Sequence, residues 1–232
     1  MRRSFYSTLA GITFLLAGAA HATAETPNEV IESAVVELAT ALDGRRDALA
    51  ADREALYSVI NEILLPRFDR EYAARLVLAQ HWRTASSEQK RRFVDAFYNS
   101  MLKRYADGVL EFQEDRVEVL TFRGDLSKPR VLARTIVRLN DGSKVPVDYA
   151  FVNRDEQWRL FDVTVEGVSF VRNFRAELDS EIRASSLDAV IERLESEAAA
   201  APGTPGESAD TDAEEPGAGD NASAAAAAAS SE

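Results

Sequence analysis

The residue types that most often carry chemistry are scarce in this chain. It has no cysteine, hence no thiol nucleophile. Beyond His21, in an N-terminal stretch read below as a removable leader, there is a single histidine, His81, beside Trp82 at the end of an apolar run. A Ser-His-Asp triad would have to pass through it, and a lone histidine in that setting reads as a core or boundary residue. There is no H-E-x-x-H, no clustered His/Asp spacing and no glycine-rich phosphate loop, so neither a metal nor a nucleotide site is expected. Two acids remain, Asp148 and Asp162, each in a strand-like stretch among aromatic residues. A carboxylate held in an apolar pocket can act as a general base, because burial raises its pKa. Strand side chains alternate, however, which sets Asp148 opposite Tyr149 and Phe151, and Asp162 opposite Phe161 and Val163. Both acids are therefore expected to point away from an apolar pocket, and no catalytic residue is assigned. Of the bases, Lys90, Arg91, Arg92 and Arg104 share one helical stretch, and Arg172, Arg175 and Arg183 another. They read as solvated helix faces, or more sharply as groups that meet anionic headgroups or an acidic partner at a pocket mouth.

The elements that would position these groups are legible from periodicity. Val145–Phe174 is the anchor: two long strands joined by a polar turn at 153–156, then a strand-to-helix junction at Glu166-Gly167. Val145, Val147, Tyr149 and Phe151 share one face of the first strand, and Phe161, Val163 and Val165 one face of the second, opposite Trp158, Leu160, Asp162 and Thr164. Two earlier strands are expected at 117–122 and 130–139, with Asp141-Gly142 as a hairpin turn. Such short links predict four antiparallel strands in a meander. Helices precede them: one capped by Asn28 and ended near Gly44, one from Asp52 to Pro66, and a short one capped by Asp69. A long one follows from Ser86, which has capping-box spacing to Gln89, to about Phe112. Its apolar face, with Phe93, Phe97, Met101 and Tyr105 at i+4, is wide enough to touch two layers. Val168, Val171, Phe174, Leu178 and Ile182 predict a helix after the last strand, and Leu187 to Leu194 a final one.

The two ends differ from this body. Arg2 and Arg3, the apolar run Leu9–Ala20 and Ala22-Thr23-Ala24 form a secretory signal expected to be cleaved after Ala24. Without a cysteine after the apolar run there is no lipid anchor, and no later segment is long and apolar enough to span a bilayer. The mature chain is thus expected to be exported, with a domain at 25–196 large enough to be stable without disulfides. Residues 197–232, alanine-rich with eight acids and no base, are expected to be a disordered tail. The body carries 25 bases against 31 acids, a net charge of −6, which gives no electrostatic case for nucleic acid.

Taken together, these stretches resemble the toluene-tolerance, ABC-transporter auxiliary (MlaC) family of periplasmic phospholipid-binding proteins. The likeness rests on Ile63 to Pro66 running into Tyr72, Leu76, Val77, Leu78, His81 and Trp82, and on Thr84, Ser86 and Gln89 leading into Phe93, Ala96 and Phe97. It is most specific at Trp158, Phe161, Asp162, Val163, Glu166, Gly167, Val168 and Ser169, and it spans about Asn28 to Leu194. The acidic tail departs from the family pattern. The resemblance implies an α+β fold, a twisted four-stranded antiparallel sheet wrapped by helices in a cone like that of nuclear transport factors, with an internal apolar cavity. It implies a monomer that is not an enzyme and has no cofactor, with phospholipid as cargo. Its partners would be an inner-membrane MCE-type subunit of an ABC transporter and an outer-membrane lipoprotein–porin complex. Sheltering two acyl chains from water, at about 0.8 kcal/mol per CH₂, is worth on the order of 20 kcal/mol. That calls for a cavity toward the upper end of the ~300–1,000 Å³ range. The expected lipid-binding wall is Val77, Phe97, Met101 and Tyr105 from helices, with Val147, Tyr149, Phe151, Val163, Val165, Val168 and Phe174. Two other functions fit the same residues: a cone-fold enzyme acting on a hydrophobic substrate through Asp148 or Asp162, and an exported adaptor that binds only proteins.

Overall fold

A computed structural model describes residues 25–199. The expected signal segment and residues 200–232 of the expected tail lie outside the described residues, whereas 197–199, also expected in the tail, complete the last helix, where Glu197 pairs with Arg193. The elements run α1 (Pro27–Leu42), α2 (Arg46–Ala51), α3 (Arg53–Leu64), α4 (Arg70–Leu78), α5 (Gln80–Thr84), α6 (Ser87–Leu110), β1 (Val117–Val119), β2 (Arg130–Arg138), β3 (Lys144–Arg154), β4 (Gln157–Val165), β5 (Val168–Ser169), α7 (Phe170–Ala184) and α8 (Leu187–Ala199).

Local chemistry sets most of these boundaries. Asp52 and Asp69 accept from the backbone N–H groups of Ala55 and Tyr72, opening α3 and α4. Ser86 and Gln89 close a reciprocal capping box at the start of α6. The cap of α1 is Thr26, boxed with Glu29, and not Asn28, whose side-chain amide instead donates to Leu120 O at 2.8 Å. Pro27 at the first helical position explains the shift of the cap to Thr26. Two short helices, α2 and α5, were not expected. Ala79, at φ 47°, breaks the apolar run that pattern alone would carry on from α4 into α5.

The sheet is a five-stranded antiparallel meander in the order β1-β2-β3-β4-β5, which corrects the expected four strands. Glu166 and Gly167 both take positive φ, 50° and 86°, and fold the chain into a tight turn. Val168 and Ser169 therefore return along β4, opposite Val165 and Thr164, before α7 begins. A second correction concerns β4. Ala150 pairs with Asp162 but Phe151 with Leu160, leaving Phe161 in a bulge. The extra residue reverses the alternation, so Trp158 and Leu160 join Phe151 on the inner face while Phe161 packs with Ala73 and Val152 on the outer one.

The helices form two groups bridged by α6. Its first half buries Phe93 and Phe97 in a core with α4, α7 and α8. Its second half packs Leu102, Ala106 and Val109 against α1, α2 and α3. The expectation of two layers on this helix holds. The inner sheet face meets α1, where Val30 and Ile31 are buried with Val131, Ala133 and Phe151. The outer face is covered by α4 at β4, through Tyr72 set edge-on to Phe161 at 5.0 Å. The outward side of β2 stays exposed, with Leu132 49% accessible.

Candidate ligand-binding site

Between the inner sheet face, α1 and the end of α6 lies a hollow of about 340 Å³. Its walls are apolar side chains from three directions. Val30, Ile31, Ala34, Val35 and Leu38 come from α1; Tyr105, Val109 and Phe112 from the end of α6 and the residues after it; Val137, Tyr149, Phe151, Leu160 and Val163 from the sheet. Phe170, at the start of α7, stacks parallel to Tyr105 at 5.9 Å and closes one side. Tyr149 is part-buried in β3 and lines the hollow. Burial pushes its phenol up, and that of Tyr105 as well, so both rings are neutral walls at ordinary pH. Polar groups enter the lining as Arg67, Glu111, Gln113 and Arg116. Glu111 and Gln113 are exposed, so the hollow opens there to solvent. Arg67 is tied to α1 through Ser33 Oγ at 3.3 Å and Glu37 at 2.6 Å, while its Nε is buried without a partner.

The residues singled out from the sequence divide by where they sit. Tyr105, Tyr149, Phe151 and Val163 line the hollow. Val147 and Val165 are fully packed beside it with Val137 and Val145. Val77, Phe97 and Phe174 belong to the helical core, and Met101 packs on its edge. Val168 is an exposed residue of β5. The wall contributed by α1 went unassigned, although its stripe of Ile31, Val35 and Leu38 was visible. Two amphipathic helices compete for the inner sheet face, and pattern alone does not rank them. At 340 Å³ the hollow is also far below the expected upper range, because α1 lies close across the strands.

Neither acid considered for catalysis reaches it. Asp148 is on the outer face, 3.3 Å from Arg134, its cross-strand partner. Asp162 accepts from Ser169 Oγ at 2.6 Å and Val171 N at 3.0 Å, while Ser169 Oγ accepts from Arg172 N, so the carboxylate fixes the start of α7. Asp162→Asn leaves one of these donors unmatched and is expected to cost about 1–2 kcal/mol of stability. Retained ligand should not change; a folded Asp162→Asn protein that lost all function would put the acid back among catalytic candidates. His81 Nε2 lies 2.7 Å from Asp179, which it holds below the usual carboxylate range, and so ties α5 to α7. Among the described residues no His/Asp/Glu group is arranged to hold a metal ion. The helix bases have structural posts as well. Arg92 pairs with Glu195, Arg183 with Asp179 and Arg91 with Glu88, Arg175 Nε donates to Leu76 O, and Lys90 sits over the Trp82 ring. The bases beside the hollow are Arg67 and Arg116 instead.

Fold and site together define an α+β module with a partly open apolar hollow between its antiparallel sheet, α1 and the end of α6. Residues 32–196 match the MlaC protein family, and the chain belongs to that family. It is 27% identical over 176 residues to toluene tolerance protein ttg2D of Pseudomonas putida, covering 75% of this chain and 79% of that one. It is 20% identical over 182 residues to the intermembrane phospholipid transport system binding protein MlaC of Haemophilus influenzae, covering 76% of this chain and 85% of the relative. A phospholipid-binding protein from Ralstonia solanacearum, solved in complex with a phospholipid, has the same fold, with a TM-score of 0.67 at 18% identity over 75% of this chain and 98% of that one. Among the described residues no helix is long and apolar enough to cross a membrane.

Proposed function

We propose that the protein is a periplasmic phospholipid carrier, with the lipid as cargo and no cofactor. The observation that carries this reading is the hollow. An apolar wall built from α1, α6 and the sheet, interrupted by polar groups where it opens, matches a molecule with a greasy body and a charged head. Acyl chains would lie against Tyr149, Phe151, Val163, Leu160 and the α1 stripe. The phosphate would sit toward Arg67, whose buried Nε still has a hydrogen to donate, and Arg116. Membership of the MlaC family supports the same assignment. So does the name of the Haemophilus relative, a binding protein of intermembrane phospholipid transport. On this reading the signal segment is removed after Ala24 and the carrier works as a monomer. It moves phospholipid between an outer-membrane lipoprotein–porin complex and the MCE-type subunit of an inner-membrane ABC transporter, and so maintains the lipid asymmetry of the outer membrane. The engagement of Asp148 and Asp162 away from the hollow supports carriage over catalysis.

Since a hollow of 340 Å³ is at the low end for ligand pockets, α1 must shift outward when cargo enters. Native mass spectrometry of mature protein purified from cells should show a one-to-one adduct of phospholipid mass. Protein that leaves cells empty, and takes up nothing from phospholipid vesicles, would remove the proposal.

A further inference from the structure

The hollow accounts for the inner face of the sheet and leaves the outer face of β2 and β3 without a role. Arg130, Arg134 and Arg138 recur there at every fourth residue, about 13 Å apart, and Lys144 lies opposite Arg138. Arg123 and Lys128, from the segment between β1 and β2, line the same surface beside an outer-face groove of about 860 Å³. Of these six bases, only Arg134, to Asp148 at 3.3 Å, and Lys128, to Asp125 at 3.9 Å, form ion pairs among the described residues. Elsewhere the arginines are largely satisfied: Arg53 by Asp107, Arg67 by Glu37, Arg70 by Asp95, Arg92 by Glu195, Arg154 by Asp69 and Arg193 by Glu181. A chain of net charge −12 thus keeps a net basic stripe on one exposed sheet face, where Asp148 and Glu118 are outnumbered by Arg130, Arg134, Arg138 and Lys144.

The same chain carries its complement. Residues 200–232 hold seven acids and no base, five of them within Glu207–Glu215. In an extended chain Asp210, Asp212 and Glu214 would fall on one side, and Asp210 and Glu214, four residues apart, would be about 13 Å from each other, the spacing of the arginines. The block begins eight residues past Ala199, and Glu214 can reach up to roughly 50 Å from it. A domain of this size has a radius of gyration of only about 16 Å. Every face is within range, so charge decides where the block settles. Covalent attachment keeps its effective concentration near the millimolar level, which a free acidic partner must exceed.

We infer that residues 207–215 dock in cis on the basic outer face of β2 and β3, through Arg130, Arg134, Arg138 and Lys144. The tail is an electrostatic cover for this face, displaced by salt or by a more acidic partner. The inference stands whatever the hollow holds.

The chain has no cysteine, so Ala213→Cys in the mature full-length protein accepts a single spin label. At low salt, amide signals of Arg130–Arg138 and Lys144–Asp148 should lose at least half their intensity relative to the reduced label. Recovery is expected in about 0.5 M NaCl, where the Debye length falls below about 5 Å. It is also expected when Asp210, Asp212, Glu214 and Glu215 become Asn or Gln, changes that lie outside the described residues. Three results would overturn the inference: broadening confined to the neighbourhood of Ala199, broadening of β2 and β3 that survives neutralisation of the tail, or equal broadening of isotope-labelled, label-free chains by spin-labelled ones, which would mean contact between copies.

Discussion

Ala34→Trp is expected to leave a folded protein that retains at least ten-fold less phospholipid. Ala34 sits on the stretch of α1 that lines the hollow. An indole there projects into the space assigned to acyl chains and takes up much of the 340 Å³. In a solid core the same change would force overpacking, at about 1–3 kcal/mol or more. A hollow absorbs the ring and can even gain apolar contact. Stability and binding therefore separate. Melting within a few degrees of the parent, with lipid lost by native mass spectrometry, identifies α1 as a wall of the ligand site. A melting point lowered by ten degrees with lipid retained would mean that α1 packs as ordinary core and that the cargo sits elsewhere.

Phe97→Ala should do the opposite. Phe97 is 6% accessible. It stacks on Phe93 at 5.5 Å and meets Phe174 edge-on at 5.3 Å, deep in the core of α4, α6, α7 and α8. Removing the ring costs about 3–5 kcal/mol through lost burial and the cavity left behind. For a domain of this size that lowers the melting temperature by on the order of 10 °C. The fraction still folded should hold phospholipid within two-fold of the parent, because the ring does not face the hollow. Thermal unfolding and lipid content measured on one preparation check both halves. Large lipid loss with little loss of stability would return Phe97 to the ligand wall.

These two variants mark where reading the chain in one dimension stops. The starts of α3, α4 and α6 are written in Asp52, Asp69 and the Ser86–Gln89 box, because capping is chemistry between residues three apart. The meander is written in short polar turns. The fifth strand is not, because it depends on Glu166 accepting a left-handed conformation that nothing about glutamate favours. The bulge at Phe161 is equally silent: a period-two pattern continues through it in the sequence while the faces exchange in space. That single residue moved Leu160 to the hollow and Phe161 to α4. Phe97 and Tyr105 share one apolar stripe, yet only Tyr105 reaches the hollow, since α6 passes from one core to another along its 24 residues.

Composition and local pattern were thus enough, unaided, to establish an α+β body without a thiol, the order of its long elements, the likeness to its family, and the concentration of acid after α8. The tertiary structure decided which helix lies against the sheet, how much room is left beneath it, and which outer surface keeps unpaired arginines. The division has a physical origin. Caps, turns and amphipathic faces arise from neighbours along the chain, whereas a hollow is defined by what distant segments fail to fill.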